Sequence, residues 1–324
     1  MRFARAVLMS AVFAGFLVGC AAKPDLATYE TAVTRGPAAA TVDALALRSG
    51  DVIVSEVDSA VSFLMALMAD RYAPFVHAGI VVIDDGEPYV YDAFATVWPA
   101  FGKAPTQAMS GKIRRIPLAR YLERPVVTAI ARVPEPARAA AVTAYARRAY
   151  RAGLPFDRYF DLATADAVYC TEFVAAALTD AGVALPMPAG RSKNRSLGVA
   201  FDWLGINTQG FWLAGDLIES LQPIALLSET LTERQIEIRF ALKAELHRRF
   251  TDDQALGNVF TWTAVGPRIR PHIVALYDAA LALADSDAAA TALAALVAER
   301  LGPGPEPTAR LAEHATRVLT PSPR

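Results

Sequence analysis

The sequence predicts a mixed α+β domain over residues 46–227, followed by an all-helical extension over residues 228–316. Short runs rich in Val, Ile and Tyr, separated by turn residues, predict strands up to residue 133. Ala-rich segments with helical periodicity follow, and after residue 228 only that periodicity remains. Apolar residues make up 54% of the chain, which is enough to bury a sizeable core.

The N-terminus has the pattern of an export signal. Arg2 and Arg5 precede an apolar run over residues 6–18, which is shorter than the roughly 20 residues of a membrane-spanning helix. The run ends in Leu17-Val18-Gly19-Cys20, which resembles a bacterial lipobox. We therefore expect a lipoprotein signal peptide over residues 1–19 and lipidation of Cys20. The alternatives are an ordinary signal peptide that contains a cysteine, or a short anchor.

Residues 20–45 are rich in Ala, Thr and Pro, which predicts a tether between the lipid and the domain. Ala21, rather than Asp, follows the expected lipidated cysteine. In lipoproteins of this kind, that residue predicts a location in the outer membrane, facing the periplasm. The Pro-rich C-terminus predicts a disordered tail over residues 317–324.

Composition excludes several classes of site. The formal net charge of −1 makes nucleic acid an unexpected partner. Two cysteines cannot form a disulfide framework or a cysteine-rich zinc site, and no glycine-rich phosphate loop follows a strand. Three histidines of the extension stand on segments that look at least partly exposed, without ligand partners at helical spacing: His247, His272 and His314. We therefore expect neither a metal nor a cofactor.

The elements follow in order along the chain. Strands are expected over residues 50–54, 77–83, 89–94, 113–116 and 126–133. Helices are expected over residues 59–68, 136–152, 168–181, 232–250, 271–284 and 287–301.

Cys170 stands near the start of the helix predicted over residues 168–181. Val174, Ala177 and Ala181 share its helical face, so the sulfur should point towards the sheet. The free N–H groups of a helix N-terminus favour the thiolate form of a cysteine. The alternative is a small, buried and inert side chain.

A hairpin turn at Asp85-Gly86 predicts the position of Asp92. Pairing Asp84 with Glu87 places Asp92 opposite Gly79, on the same face of the sheet as His77. Such diagonal neighbours lie about 7–8 Å apart at their backbones, and the missing side chain of Gly79 leaves room for contact. Cys170, His77 and Asp92 could thus serve as nucleophile, general base and orienting carboxylate. The backbone N–H of Cys170 could stabilise an oxyanion.

Five segments together resemble one family: Leu47-Arg48-Ser49-Gly50-Asp51-Val52-Ile53, His77-Ala78-Gly79-Ile80-Val81, Tyr91-Asp92-Ala93, Phe156-Asp157 and Tyr169-Cys170-Thr171-Glu172-Phe173-Val174. They are similar to motifs of the permuted papain-like amidohydrolases, the circularly permuted NlpC-type enzymes of the YiiX/YaeF-like group. Gly215-Asp216-Leu217 resembles the closing segment of that family. The extension is not covered by the resemblance.

The resemblance implies a papain-like fold in which an antiparallel sheet packs on the cysteine helix. It implies Cys170 as nucleophile, His77 as base, Asp92 as third polar residue and Tyr169 as a wall of the site. The expected reaction is cleavage of an amide through an acyl-enzyme, on a cell-wall peptide or an acyl-amide of a lipid. Three further aromatic residues could line an apolar substrate groove or pack in the core: Trp203, Phe211 and Trp212.

Two alternatives stay open. Members of this superfamily also resemble lecithin:retinol acyltransferases, which implies acyl transfer or thioester cleavage as a second enzymatic function. The other alternative is a non-catalytic envelope lipoprotein, in which the papain-like domain is a scaffold and the extension binds a protein partner whose identity is unknown.

Overall fold

The computed structural model describes residues 45–97, 109–204, 206, 208, 210–251, 259–263, 266–284 and 289–301. The predicted signal peptide, the lipidation site Cys20, His314 and the predicted tail lie outside these ranges. Within them, no helix combines the length and the apolar character needed to cross a membrane.

A six-stranded antiparallel sheet forms the centre of the fold, with the strand order β4-β3-β2-β1-β5-β8. Its strands are β1 (Val52–Glu56), β2 (His77–Asp84), β3 (Glu87–Val97), β4 (Met109–Pro117), β5 (Val127–Arg132) and β8 (Gln222–Leu227). The first five correspond to the predicted strands. No strand was predicted at the position of β8, which returns late in the chain to pair with β5 at the sheet edge.

The β2–β3 hairpin has the predicted register, in which Ile83 pairs with Pro88 and Asp84 with Glu87. Its two turn residues, Asp85 and Gly86, have φ values of 55° and 86°. Positive φ at both positions is the geometry of a type I′ turn, which matches the twist of the strands that flank it. The turn therefore fixes which side chains of β3 share a face with His77.

Among the described residues up to Asp180, four helices are present: α1 (Ala60–Ala66), α2 (Leu118–Leu122), α3 (Pro136–Ala152) and α4 (Cys170–Asp180). Helix α4 buries Phe173, Val174 and Leu178 in the core that it shares with one face of the sheet. Helix α3 packs beside it, and the rings of Tyr145 and Phe173 lie 5.9 Å apart. This is the expected arrangement of an antiparallel sheet on the cysteine helix.

The remaining elements are β6 (Ala189–Gly190), α5 (Arg195–Leu204), β7 (Gly210–Phe211), α6 (Glu233–Thr251), β9 (Phe260–Thr263), β10 (Gly266–Ile269), α7 (Pro271–Leu281) and α8 (Ala289–Leu301). The prediction of an all-helical extension was wrong, because β9 and β10 form an antiparallel hairpin. Four-residue strands are too short to show a clear alternation in sequence. Phe260 of β9 is fully buried and contacts Phe63 of α1, with ring centroids 5.6 Å apart.

Helix α6 is buried along much of its length rather than exposed. Its Leu242 and Phe250 share a hydrophobic cluster with Leu64 of α1. The expectation that His247 is at least partly exposed was wrong: it is buried, and its Nε2 lies 3.0 Å from the carbonyl oxygen of Ala69. The helix fits the core because its polar side chains find buried partners, which helical periodicity does not reveal.

Candidate active site

Helix α4 begins at Cys170, because a capping interaction ends the preceding extended segment there. The side chain of Glu172 accepts a hydrogen bond from the backbone N–H of Tyr169 at 3.2 Å, as the third helical residue does in a capping box. The N–H groups of the first turn have no partner within the helix. Cys170 is therefore a nucleophile candidate at the positive end of a helix, with a free N–H group at the same residue.

The sulfur of Cys170 faces the start of β2, where His77 lies. Sγ donates a weak hydrogen bond to the carbonyl oxygen of Val76 at 3.9 Å, and Cys170 and His77 line the same cavity, close enough for the sulfur to raise the pKa of the imidazole. The His77 ring stacks on Tyr121 of α2, with centroids 6.0 Å apart and an angle of 24° between the ring planes. Tyr121 is itself held by a 2.9 Å hydrogen bond between its hydroxyl group and Ser55 Oγ. The imidazole is thus fixed between the sulfur and an aromatic wall.

Asp92 holds the far side of the imidazole. His77 Nε2 lies 2.7 Å from Asp92 Oδ2, the contact that the hairpin register predicted. Gly79 permits this approach, since a Cβ atom added there would lie 3.4 Å from the Asp92 Cβ and 2.6 Å from Val90 Cγ1. One carboxylate therefore sets the orientation of the ring and leaves its other nitrogen to Cys170.

The carboxylate of Asp92 has no exposed surface, and Arg114 of β4 neutralises it. Directly opposite Asp92 in the β3–β4 register, Arg114 donates from Nε to Oδ1 at 2.7 Å and from Nη2 to Oδ2 at 2.9 Å. Burial raises the pKa of Asp92, but the hydrogen bonds from His77 and Arg114 outweigh burial and hold that pKa below its usual range. Asp92 is therefore a carboxylate that two cationic partners share.

The protonation of His77 depends on its two neighbours. Burial lowers the pKa of the imidazole, whereas the Cys170 sulfur and the Asp92 carboxylate each raise it, and the net effect is a pKa of about 10. The arrangement therefore favours the protonated, imidazolium form of His77. An imidazolium beside a cysteine is the partner that a cysteine nucleophile needs for its reactive form.

Comparison with known proteins identifies a family for the segment that contains these residues. Residues 46–191 match the model of the family described as permuted papain-like amidase enzyme, YaeF/YiiX, C92 family. The matched segment belongs to this family. Its members are cysteine peptidases and amidases, so the segment over residues 46–191, which we call the amidase domain, is an enzyme of the hydrolase class that cleaves amide bonds. No curated protein matches the chain.

Among solved structures, this chain is similar to the metalloprotein yiiX from Escherichia coli O157:H7. The two chains are 18% identical, and the match covers 56% of this chain and 98% of that one, with a TM-score of 0.43. In the described part of this chain, no group of three or more His, Cys, Asp or Glu side chains is placed to hold a metal ion.

Two cavities meet at Cys170. The larger, of about 110 Å³, contains His77 on its wall, with Arg114 and Arg124 as further charged side chains. Its apolar walls come from Val57, Met65, Ala93, Phe94, Ile116, Tyr121, Phe156 and Phe160. The smaller, of about 50 Å³, shares Met65, Val76, Phe160 and Cys170 with the larger. The nucleophile therefore lines two largely apolar spaces.

The structure brings three of the four expected wall residues to the smaller cavity. Tyr169, Phe211 and Trp212 all line it, and the Tyr169 hydroxyl group accepts a 3.1 Å hydrogen bond from the Trp212 backbone. Phe211 is also buried in a hydrophobic cluster, so it serves both the cavity and the core. Trp203 belongs to α5, and its side chain is outside what the structure describes.

Sequence reasoning missed Arg114 and Tyr121. Arg114 could be found only from the β3–β4 register, and the long connection over residues 98–108 leaves that register open in the sequence. Tyr121 belongs to a five-residue helix, too short for a periodic signal. Both residues come from elements that the chain adds after the hairpin, and both contact a residue of the predicted set.

Proposed function

We propose that the amidase domain cleaves an acyl-amide through a thioester acyl-enzyme on Cys170. The observation that carries the proposal is the arrangement of Cys170, His77 and Asp92 beside an apolar cavity. In the first half-reaction the thiolate attacks the amide carbonyl carbon, and the backbone N–H of Cys170 donates to the developing oxyanion. The His77 imidazolium then gives its proton to the amide nitrogen, which leaves as the amine while the thioester remains.

The second half-reaction restores the enzyme. Neutral His77 accepts a proton from water as the water oxygen attacks the thioester carbonyl carbon. The C–S bond breaks, the acid product leaves, and the thiolate and imidazolium form again. Asp92 keeps the ring in position during both halves and stabilises its charged form.

The cavity walls favour an acyl-amide over a cell-wall peptide. The larger cavity offers an apolar acyl group mainly aliphatic and aromatic contacts, and Arg114, one of its two guanidinium groups, is already bound to Asp92. A peptide rich in charged side chains would lose its hydration there without gaining partners. Burying an apolar chain is favourable by about 25 cal/mol per Å².

Activity assays on the purified protein lacking residues 1–20 test the proposal. Wild type should release the free acid from an N-acyl amide, and Cys170→Ala should lower the rate at least about 10⁴-fold. Thr171→Ser is the matched control, because it alters the next side chain of the same helix turn without removing the sulfur. Equal rates for wild type and Cys170→Ala on both acyl-amides and cell-wall peptides would contradict the proposal and favour the scaffold.

Mass spectrometry of the intact protein during turnover distinguishes hydrolysis from acyl transfer. A transient mass increase equal to the acyl group is expected on wild type and not on Cys170→Ala. Release of the free acid supports hydrolysis, whereas a new ester or amide formed with an added alcohol or amine supports the acyl transfer alternative.

We also propose that the chain is a lipoprotein anchored through Cys20 to the outer membrane, facing the periplasm. The lipobox-like Leu17-Val18-Gly19-Cys20 supports this proposal. Cells that express the full chain should incorporate an alkyne-labelled fatty acid into wild type and not into Cys20→Ala. Incorporation that persists in Cys20→Ala would contradict it.

A further inference from the structure

Arg114 is part of the site although it does not contact the nucleophile directly. It does not contact Cys170 or His77 through any hydrogen bond that the structure shows, yet it makes two short bonds to the carboxylate that orients His77. Its guanidinium carbon lies 3.6 Å from the centre of the Phe94 ring, which fixes the group from one side. The guanidinium group is thus held in place by Phe94 as well as by Asp92.

We propose that Arg114 is a positioning residue that balances the charge of the site, so that Cys170 and His77 exist as thiolate and imidazolium near neutral pH. This inference rests on the proposed function. Thiolate, imidazolium, carboxylate and guanidinium sum to zero, whereas the first three alone carry one negative charge. An unbalanced charge beside apolar walls is unfavourable, and protonation of the sulfur removes it.

Other charged or titratable groups near the pair do not replace Arg114. Arg124, which follows α2, lines the same cavity, but its side chain is exposed and solvent screens its charge. Tyr121 of α2 and Tyr169 before α4 face the sulfur, and burial raises the pKa of both phenols far above neutrality. Among the described residues around the pair, Arg114 is the cation that contacts Asp92 directly.

Removal of the Arg114 charge has a defined sign. A positive charge disfavours the binding of protons by its neighbours, so its loss raises the proton affinity of the sulfur, the imidazole and the carboxylate together. The pH at which the thiolate forms therefore rises. Arg114→Lys keeps the charge and loses the bidentate fork, so it should alter geometry more than proton affinity.

The test is the rate of alkylation of Cys170 by iodoacetamide against pH, which requires no substrate. Arg114→Met should move the midpoint upward by about one unit or more, while Arg114→Lys stays within a few tenths of wild type. Arg115→Met is the matched control: the Arg115 side chain is also 29% exposed and bonds a carboxylate, that of Asp84, at 2.9 Å. It should not shift the midpoint.

The outcomes separate this inference from the proposed function. An unshifted midpoint in Arg114→Met, with a shift in His77→Ala, overturns the charge balance and leaves the catalytic pair intact. Equal shifts in the Met and Lys variants also overturn it. No effect of His77→Ala contradicts the proposed function itself. If Arg114→Met does not fold, Arg114→Gln supplies the same uncharged comparison, and circular dichroism verifies the fold of each variant.

Discussion

Two buried carboxylates of this protein each hold two cationic groups, and they serve different ends. Asp92 binds His77 and Arg114 beside a cavity, where the His77 side chain keeps 21% of its surface exposed. Glu56, at the end of β1, binds Arg239 and Lys243 of α6, and these two side chains are each only 5% exposed. Of the two clusters, the Asp92 cluster has a member, His77, that a molecule in the cavity can contact.

The Glu56 cluster instead joins the end of the sheet to helix α6. Arg239 donates to both oxygens of Glu56 at 3.1 Å and to Asp58 at 2.7 Å, and the Lys243 ammonium group contacts the same Glu56 carboxylate. Two anions and two cations close the network among these residues. Because α6 lies beyond the segment that matches the family, these ion pairs connect the amidase domain to the extension.

The largest expected effect is on catalysis, from Asp92→Asn. Loss of the carboxylate removes the group that orients and stabilises the imidazolium, so the rate of amide cleavage should fall by about 10²–10⁴-fold. Asp84→Asn is the control, since Asp84 also binds arginines, Arg115 and Arg147, but lies away from Cys170. Its rate should stay near that of wild type. If Asp92→Asn cleaved the amide as fast as Asp84→Asn, the catalytic role assigned to Asp92 would be contradicted.

The next effect is on stability, from Glu56→Gln. Two buried cations lose their common anion, and breaking a buried pair in this way costs about 3–5 kcal/mol. Urea unfolding followed by circular dichroism measures the loss. The control Glu123→Gln breaks an exposed 2.9 Å pair with Arg120 and should cost at most about 1 kcal/mol. A loss for Glu56→Gln as small as that of the control would show that the cluster does not hold α6.

The smallest effect concerns Glu172, a third buried carboxylate, which accepts a backbone hydrogen bond instead of binding cations. Burial raises its pKa to about 8, against an ordinary value of 4.5. Between these pH values the folded state holds a proton that the unfolded state releases, so wild-type stability falls as pH rises from 4.5 to 8. Glu172→Gln should flatten this slope, so that the stability of the variant relative to wild type is greater at pH 8 than at pH 5. If the free energy of unfolding had the same pH dependence in wild type and Glu172→Gln, the raised pKa of Glu172 would be contradicted.

The sequence predicted the local geometry of the site because that geometry depends on short-range rules. A two-residue turn at Asp85-Gly86 fixes the hairpin register, and the register places Asp92 against His77. The face of α4 that carries Val174 and Ala177 is buried as its periodicity indicated. These relations require only the pleat of a strand and the pitch of a helix.

The pairing of residues far apart in the chain could not be predicted from the sequence, for a physical reason. Strand β8 joins β5 across about ninety residues of chain, and Arg114 reaches Asp92 across a connection that does not set a register. The β9–β10 hairpin and the buried His247 depend on what packs against them. Such contacts are decided by tertiary packing, which overrides local propensity.

The most direct test of the central claim is the alkylation of Cys170 at pH 7 in wild type and His77→Ala. We expect the wild-type thiol to react readily below pH 8 and the variant to react at least about tenfold more slowly, since loss of the imidazole removes the partner that stabilises the thiolate. Equal rates in the two proteins, or a wild-type thiol that reacts only after denaturation, would contradict it.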